Sequence, residues 1–422
     1  MARKMKDSGI EWIGEIPEGW TKNKVIRLFD TIGSGTTPKN ITSDFPVVNW
    51  IQSGDITGSF MPACKNVISA NLLSQYSALK VYPAPFIIIA MYGASVGNAS
   101  ISLIDGCVNQ ACCVLSSPSC NLHYAFYVIK SAQSYLVRKA VGGGQPNISQ
   151  ETIKQLWLTL PPLSTQDIIV RNLDATCSKI DDLLSSVHAS IEEYKKLKQA
   201  VITQAVTKGV RGEREMKDSG VEWIGKVPSK WNCIKIKYLF EIRKRIAGKE
   251  GYTVLSITQT GIKPKNISSN EGQLADSYSN YQLLHFGEFA MNHMDLLTGW
   301  VDISNYNGVT SPDYRVFSLK DTITNHPRYF LYLMQMCYFN RIFYSMAQGV
   351  SNLGRWRLQS DKFLNCIFPV PSIEEQKEIS AYLDTTCSEI DKLIAKKEQL
   401  VKELESYKKS LIYEVVTGKR EV

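Results

Sequence analysis

The chain has 422 residues, of which 44% are hydrophobic and 21% are charged. This is the composition of an ordinary globular protein and excludes an intrinsically disordered chain. The formal net charge of +8, from 48 Lys and Arg against 40 Asp and Glu, favours anionic partners, of which nucleic acid is the commonest.

No targeting, membrane-spanning or metal-binding pattern stands out along the chain. The residues before Gly9 lack the apolar core of a secretory signal, and the most apolar stretch, residues 86 to 92, is far shorter than the ~20 residues that cross a bilayer. The ten cysteines form no CxxC pair, and no His stands at ligand spacing beside them. We therefore expect a cytoplasmic protein without membrane contact and without a metal site.

Two blocks of the sequence occur twice. The segment from Met5 to Trp20 returns from Met216 to Trp231 with eleven of sixteen positions identical, and residues 166 to 183 return as 376 to 393 with ten of eighteen identical. A period near 210 residues is too long for a solenoid repeat and indicates a duplicated domain pair. We predict a mixed α/β domain in residues 1–159, a helical segment in 160–212, a second α/β domain in 213–369 and a second helical segment in 370–422.

The first variable segment contains strand-like runs at residues 47 to 51, 85 to 92 and 112 to 115, and a predicted helix from 124 to 137. Two of its loops suit DNA contact. The turn-rich loop Gly33-Ser-Gly-Thr-Thr-Pro-Lys39 offers hydroxyls, backbone N–H groups and a cation to phosphate. The loop Gly142-Gly-Gly-Gln-Pro-Asn147 carries amides, which can bind adenine bidentately. The candidate DNA ligands are Thr36, Thr37, Lys39, Gln145 and Asn147, for each of which a solvated polar loop residue is the alternative.

The shared blocks predict two long helices. No Gly or Pro occurs between Leu163 and Gly209, or between Ser372 and Gly418, so each helix can run for about 40 residues, or about 60 Å. Apolar residues recur at alternating spacings of four and three, which is typical of a helical seam, although Lys198, Lys397 and Lys408 interrupt it. A helix with one apolar stripe needs a partner, and we predict that each copy pairs with the other rather than only with its own domain. The predicted pairing residues are Ile180, Leu184, Val187, Ile191, Ile390, Ile394, Val401 and Leu404.

The second variable segment contains strand-like runs at residues 252 to 257 and 314 to 319 and a predicted helix from 329 to 343. Its features follow the order of the first segment. Tyr124, Tyr127, Gly144 and Asn147 stand opposite Tyr329, Tyr332, Gly349 and Asn352 at an offset of 205. Asn352, Arg355 and Arg357 are the candidate base-reading residues here, because Asn can bind adenine and Arg can bind guanine. A basic stretch, formed by Lys235, Lys237, Arg243, Lys244 and Arg245, is better suited to the DNA backbone than to bases.

The sequence lacks the common catalytic signatures of DNA enzymes. Leu160-Pro-Pro-Leu163 and Ser311-Pro-Asp-Tyr314 only partly match the Asn/Asp/Ser-Pro-Pro-aromatic tetrapeptide of adenine methyltransferases, and no glycine-rich turn for S-adenosylmethionine precedes either. No GxxxxGK[ST] loop occurs, and after Pro312-Asp313 the expected acidic-x-Lys position reads Ser318-Leu-Lys320. We expect no catalytic residue in this chain.

As a set, the repeated motifs resemble the specificity subunit of type I restriction-modification enzymes over nearly the whole chain. The resemblance lies in the paired openings Ser8-Gly-Ile-Glu-Trp-Ile-Gly14 and Ser219-Gly-Val-Glu-Trp-Ile-Gly225 and in the repeated Leu-Asp-x-Thr-Cys-x-x-Ile-Asp signature. It lies also in the block Pro161-Pro-Leu-x-x-Gln166 with its counterpart Pro371-Ser-Ile-Glu-Glu-Gln376, and in the helix endings Ala-Val-Thr-Lys-Gly209 and Val-Val-Thr-Gly-Lys419.

The resemblance implies an α/β (α+β) fold. Two mixed α/β target recognition domains would be separated by two long antiparallel coiled-coil-like helices in a pseudo-twofold tandem duplication. Each recognition domain would read one half of a bipartite, asymmetric site in double-stranded DNA. Two methyltransferase subunits would dock on the chain, and restriction subunits with motor and nuclease activity would join them. No cofactor is expected in this chain; S-adenosylmethionine, ATP and Mg would belong to the partner subunits.

Two other classes of function remain open at this point. A standalone DNA methyltransferase or restriction enzyme with unrecognised motifs would transfer labelled methyl groups to DNA by itself. A coiled-coil structural adaptor without DNA contact would leave about 300 residues of globular domain without a role.

Overall fold

The computed structural model describes residues 3–39, 41, 43–142, 144–267, 275–347 and 356–422. The chain forms two compact units, the first from Met1–Val187 and Gln399–Val422 and the second from His188–Glu398. The two long helices, Leu163–Lys208 and Ile373–Val416, each contribute one segment to each unit. In the described part of the chain, no helix is long and apolar enough to cross a membrane.

The first unit alternates short strands and helices before the long helix begins. Its strands are β1 Met5–Asp7, β2 Glu15–Pro17, β3 Thr21–Lys24, β4 Phe29–Gly33, β5 Val47–Ile51, β6 Phe60–Met61, β7 Asn66–Ser69, β8 Phe86–Ala90, β9 Ala99–Ser102, β10 Cys107–Val108, β11 Cys112–Pro118 and β12 Trp157–Leu160. Its helices are α1 Val25–Leu28, α2 Leu72–Gln75, α3 Leu122–Ser131, α4 Gln133–Arg138, α5 Gln150–Lys154 and the first part of α6 Leu163–Lys208.

The centre of the first unit is a five-stranded sheet in the order β4-β11-β8-β9-β6, in which only β6 and β9 run parallel. Both faces of the sheet are buried. Ile87, Ile89 and Leu115 face a core that α3 and the long helices complete, while Phe86 and Ile88 face a second apolar cluster. Burial on both faces explains why β8 is apolar at every position instead of alternating.

The second unit has a similar order of elements, but its described residues contain no counterpart of α2. Its strands are β13 Met216–Asp218, β14 Lys226–Pro228, β15 Asn232–Lys235, β16 Phe240–Arg243, β17 Leu255–Thr258, β18 Gly261–Pro264, β19 Gln282–Leu284, β20 Phe289–Met291, β21 Val301–Ile303, β22 Gly308–Thr310, β23 Arg315–Leu319 and β24 Ile367–Val370. Its helices are α7 Ile236–Leu239, α8 Pro327–Phe339, α9 Ile342–Ser345, α10 Ser360–Asn365 and part of α11 Ile373–Val416. The central sheet is antiparallel, in the order β16-β23-β20-β21.

The predicted elements are recovered with small shifts at their ends. The strand predicted at residues 47 to 51 has these bounds, and the strand predicted at 314 to 319 begins one residue later. The two predicted domain helices are each interrupted. The first breaks at Ala132 between α3 and α4, and the second ends at Phe339, after which Arg341 takes a left-handed conformation before α9. A left-handed residue cannot continue a helix, which explains the interruption in the second.

A glutamine in each long helix fixes the start of the neighbouring domain helix. The Gln166 side chain accepts a hydrogen bond from the Asn121 backbone N–H at 2.9 Å and donates one to the Pro161 carbonyl at 2.9 Å. Gln376 accepts from the His326 N–H at 2.7 Å and donates to the Pro371 carbonyl at 2.9 Å in the second unit. The repeated proline-glutamine block is therefore a structural joint between helix and domain.

Two tyrosines of each domain helix make a second joint. Tyr127 donates to Asp174 at 2.6 Å, and Tyr332 donates to Asp384 at 2.7 Å, so the aspartates of the repeated Leu-Asp motif hold α3 and α8. Burial and the nearby carboxylate raise the pKa of both phenols. The other pair is fully buried: Tyr124 donates to the Val416 carbonyl at 3.2 Å, and Tyr329 donates to the equivalent carbonyl of Val206 at 3.1 Å.

Two of the three lysines that interrupt the apolar seam form inter-helix salt bridges, and the third, Lys397, lies over the Tyr194 ring at 5.6 Å. In the first unit Lys408 reaches Asp181 at 2.5 Å, and in the second Lys198 reaches Asp391 at 2.7 Å. The two pairs are equivalent in the duplication, since both residues of each pair are related by an offset of 210. Each lysine keeps its aliphatic stem against the neighbouring helix and its ammonium at the surface, so the seam continues through a charged position. Within each unit the segments of α6 and α11 run antiparallel. In the first, Thr159, just before α6, contacts Val416 at the end of α11, and Asp181 contacts Lys408; in the second, Lys198 contacts Asp391, and Arg214, just after α6, contacts Glu375 near the start of α11.

Candidate nucleic-acid interface

In the first unit, one edge of the central sheet collects the polar loops. The end of β4, the start of β11, the end of β8 and the start of β9 meet there, because Gly33 pairs with Val114, Ala90 with Cys112, and Ile89 with Ala99. The loops that follow β4 and β8 and precede β11 therefore emerge side by side.

Hydrogen bonds that involve side chains hold the loop after β4 against its neighbours. Ser34 donates to the Cys112 carbonyl at 2.7 Å, Tyr82 donates to the Ser34 carbonyl at 2.8 Å, and Thr37 donates to Gln110 at 2.7 Å. A Cβ on Gly35 would overlap the backbone oxygen of Val108, so this close approach requires glycine. The candidate ligands Thr37 and Lys39 are exposed and Thr36 is half-buried.

The loop that carries Gln145 and Asn147 closes on itself beside the end of β8. The backbones of Val141 and Asn147 exchange hydrogen bonds of 2.9 Å, and Asn147 also bridges to Tyr92. Gly142 has φ +105 at this turn, a conformation that favours glycine. Gln145 and Asn147 are exposed, so their amides are available to a ligand.

Hydrogen bonds between backbones connect the two loops into one surface. Met91, directly after β8, accepts from Ile148 at 2.9 Å on one side and donates to Ala111 at 2.8 Å on the other. Gln110, which Thr37 contacts, precedes Ala111. The structure thus brings Thr37, Gln145 and Asn147 to one edge of the sheet, whereas the Lys39 backbone N–H donates to the Tyr76 hydroxyl at 3.2 Å.

The equivalent edge of the second unit is more basic. Arg243 ends β16 and Arg315 begins β23, and the start of β23 pairs with Met291 at the end of β20. Arg243 forms a salt bridge with Glu241 at 3.0 Å, whereas Arg357 is exposed and makes no salt bridge within the described residues. The predicted basic stretch is divided, since Lys235 lies in β15 and Arg243 at the far end of β16.

Arg315 and His293 are buried beneath this edge. The Arg315 guanidinium donates to the Leu358 carbonyl at 2.9 Å, contacts Ser360 at 3.4 Å and lies over the Phe363 ring at 4.6 Å. Burial lowers the pKa of Arg315 to about 10. Burial, followed by the charges of Arg315 and Arg357, lowers the pKa of His293 to about 3, so its imidazole is neutral at pH 7. Its Nδ1 has no hydrogen-bond partner among the described residues.

Two of the predicted DNA ligands, Asn352 and Arg355, lie outside the described residues. The predicted offset of 205 residues between equivalent positions of the two units holds for Tyr124 and Tyr329. It does not hold for Asn147. Leu358 donates to the His293 carbonyl at 3.0 Å just as Ile148 donates to that of Met91, so Asn147 corresponds to Arg357 at an offset of 210. The earlier pairing of Asn147 with Asn352 is therefore wrong, because the second unit has gained five residues between its domain helix and this position. DNA contact by all eight candidate residues stays a prediction.

Sequence reasoning missed Tyr92, Gln110, His293 and Arg315. Tyr92 is the last residue of a predicted strand, which in the structure ends at Ala90, and Gln110 stands just before another; such positions give no signal until the strands are paired. An arginine inside the apolar run from 314 to 319 was a visible irregularity, because an isolated charge in a buried strand needs a specific partner.

The predicted helix-pairing residues occupy the inner positions of the long helices. Ile180, Ile191, Ile390 and Val401 are buried, while Leu184, Val187, Ile394 and Leu404 are half-buried. Within the first unit, Leu184 and Leu404 pack against the same core. The described residues contain no cluster of three or more His, Cys, Asp or Glu that could hold a metal ion.

Two segments of the chain, residues 17–193 and 228–403, match the family described as the type I restriction modification DNA specificity domain. The chain is 25% identical over 310 residues to the type I restriction enzyme MjaVIII specificity subunit of Methanocaldococcus jannaschii, which covers 70% of this chain and 69% of that protein. It is 24% identical over 252 residues to the putative type I restriction enzyme MjaX specificity subunit of the same organism, over 53% of each chain.

Two solved structures share the fold. The first comes from work on the complex assembly and conformational transition of the type I R-M system and matches 95% of this chain and 98% of its own, with a TM-score of 0.69 and 13% identity. The second is the HsdS subunit from Thermoanaerobacter tengcongensis, which matches 96% of this chain and 98% of its own, with a TM-score of 0.50 and 14% identity.

Proposed function

Because this chain belongs to the type I restriction-modification DNA specificity family, of which it carries two domain copies, we propose that it is the subunit that selects the DNA site of such an enzyme. The first unit would read one half of a bipartite, asymmetric site in double-stranded DNA and the second unit the other half. The observation that carries the proposal is that each unit presents exposed side chains suited to DNA contact at the same edge of its central sheet.

The chain would act through partner subunits. The duplicated helices offer two similar surfaces, which suits two copies of one methyltransferase subunit, and restriction subunits with motor and nuclease activity would complete the enzyme. S-adenosylmethionine, ATP and Mg would be bound by those partners. The Pro-Pro block, which partly matches a methyltransferase motif, has a structural role here, because Gln166 binds both this block and the start of α3. This supports the proposal that methyl transfer belongs to a partner subunit.

The test is a selection from a pool of double-stranded oligonucleotides with a randomised centre, using the full chain. We expect enrichment of two short sequences separated by a gap of fixed length. Enrichment of a single uninterrupted sequence, or of none, would contradict the proposal. Incubation of the purified chain with labelled S-adenosylmethionine and the selected DNA distinguishes the standalone methyltransferase, and we expect no transfer without a partner.

A further inference from the structure

The same backbone hydrogen bond occurs at the sheet edge of both units. In the first unit Ile148 donates to the Met91 carbonyl, and in the second Leu358 donates to the His293 carbonyl. Each donor lies two residues before a short helix, α5 or α10, and each acceptor lies just beyond the end of β8 or β20. The residue before the donor is therefore at the same place in both units: Asn147 in one and Arg357 in the other.

The side chains at this position differ in chemistry, and so do the groups beneath them. Asn147 stands above neutral neighbours, since Met91 and Cys113 are buried in the apolar core. In the second unit, His293 corresponds to Met91 and Arg315 corresponds to Cys113. The second correspondence follows from the strand pairing, because Cys113 pairs with Ile89 and Arg315 pairs with Met291. Between the first unit and the second, the exposed side chain therefore differs (an amide against a guanidinium), and the buried residues beneath it differ as well.

Arg315 and His293, which are buried beneath Arg357, bind the backbone next to Arg357 and do not neutralise the Arg357 charge. Arg315 donates to the carbonyl of Leu358, the residue next to Arg357, and the His293 carbonyl receives the Leu358 N–H. No carboxylate of the described residues pairs with Arg357 or Arg315. An exposed guanidinium on a fixed backbone, with no acid to satisfy it, is suited to an external acceptor.

We propose that this shared position determines base specificity in both units, with Asn147 binding adenine and Arg357 binding guanine in their respective half-sites. An amide matches the N6 and N7 edge of adenine in the major groove, and a guanidinium matches the O6 and N7 edge of guanine, each through two hydrogen bonds. The inference rests on the proposed function, because it requires that the sheet edges contact DNA.

The experiment repeats the oligonucleotide selection with the full-length variants Arg357→Asn, Arg357→Lys and Asn147→Arg. For Arg357→Asn we expect one guanine of one half-site to be replaced by adenine, with binding to the original site weakened roughly ten- to a hundredfold. Arg357→Lys keeps the charge but lacks the bidentate fork, so it should lose the preference at that base. Asn147→Arg should replace an adenine by guanine in the other half-site only.

Lys362→Gln is the matched control, because Lys362 is an exposed cation on the helix that follows Arg357. It removes one charge and should leave the selected sequence unchanged. If Arg357→Asn weakens all sequences equally and lowers the salt dependence of binding, Arg357 contacts phosphate and the inference is wrong. An unchanged consensus also overturns it. Absence of any enriched sequence with the unmodified chain would instead overturn the proposed function itself, and circular dichroism of each variant verifies that it is folded.

Discussion

At the scale of single residues, the duplicated tryptophans show how one substitution changes a buried joint. Trp231 donates to buried Glu375 at 3.0 Å, and Glu375 also binds Arg214 at 2.5 Å. In the first unit Arg3 lies over Trp20 at 5.4 Å, as Arg214 lies over Trp231, but Thr165 stands in the place of Glu375. The Trp20 indole N–H is consequently buried, with no hydrogen-bond partner in the described part of the chain.

This difference predicts opposite effects of exchanging the two residues. Glu375→Thr should lower the free energy of unfolding by about 3 kcal/mol, because Arg214 and the Trp231 N–H lose a buried acceptor. Thr165→Glu should raise it by about 1 kcal/mol by giving Trp20 and Arg3 that acceptor. Chemical denaturation of each variant measures both effects. Exposed Glu374→Thr serves as the control and should change little; a Thr165→Glu protein less stable than the unmodified chain would contradict the prediction.

His293 predicts a pH dependence of stability. Burial holds the pKa of the folded imidazole near 3, below the ordinary histidine value of 6.5, so the unfolded chain binds a proton that the folded chain excludes. The stabilising contribution is complete above pH 6.5 and is lost as the pH falls toward 3. Between pH 7.5 and 5.0 the expected loss is about 2 kcal/mol.

The equivalent residue in the first unit supplies the matched variant. His293→Met places there the side chain of Met91, which cannot titrate. Urea unfolding at both pH values should show the unmodified protein losing about 2 kcal/mol more than His293→Met. Equal losses would show that His293 is already protonated in the folded protein or does not contribute to the pH dependence of the free energy of unfolding.

At the scale of elements, the long helices carry charge inside an otherwise apolar seam. The Lys408 side chain is 17% exposed while its partner Asp181 is 57% exposed, so the lysine stem is buried and the ion pair lies near the surface. Burial, and then the nearby Lys408 ammonium, lower the pKa of Lys130. Lys408 therefore repels one neighbour while it attracts another.

We predict that Lys408→Leu raises the melting temperature by about two to four degrees, because leucine continues the seam, the lost surface ion pair is weak, and the repulsion of Lys130 disappears. Lys198→Leu is the matched variant, and its gain should be smaller, since Gln335 stands where the first unit has Lys130. Differential scanning calorimetry measures both. A fall in melting temperature with Lys408→Leu would show that the salt bridge outweighs apolar packing at this position.

At the scale of the whole molecule, the chain passes between its two units along α6 and α11. If the sequence prediction of a helical spacer is correct, the gap between the half-sites should follow the length of these helices. We expect that one heptad inserted after Ser190 and another after the equivalent Leu400 keeps the seam in register and adds about 10 Å.

The gap in the selected DNA site should then lengthen by about three base pairs, because successive base pairs rise by about 3.4 Å. Both half-sites should keep their sequences, since the recognition loops are untouched. Insertion of the same two heptads with proline at their centres is the control and should abolish binding by breaking the helices. A selected site with its original gap would contradict the spacer prediction.

Local patterns in the sequence determined the duplication, the two long helices and the strand content of the domains. Repetition and periodicity are properties of neighbouring or evenly spaced residues, so they are readable without coordinates. The helices predicted at about 40 residues extend over 46 and 44, and the repeated motifs proved to be joints that recur in each unit.

Only the tertiary structure decided which loops lie together and which residues correspond across the duplication. The pairing of Gly33 with Val114 brings together residues far apart in the chain, and no local signal encodes that register. The correspondence of Asn147 with Arg357 emerged from hydrogen bonds to Met91 and His293, because loops of unequal length hide it in the sequence. Lys198 and Lys408 likewise interrupt the apolar pattern of the sequence, and only the structure places Asp391 and Asp181 beside them, since an ion pair between helices depends on packing and not on spacing.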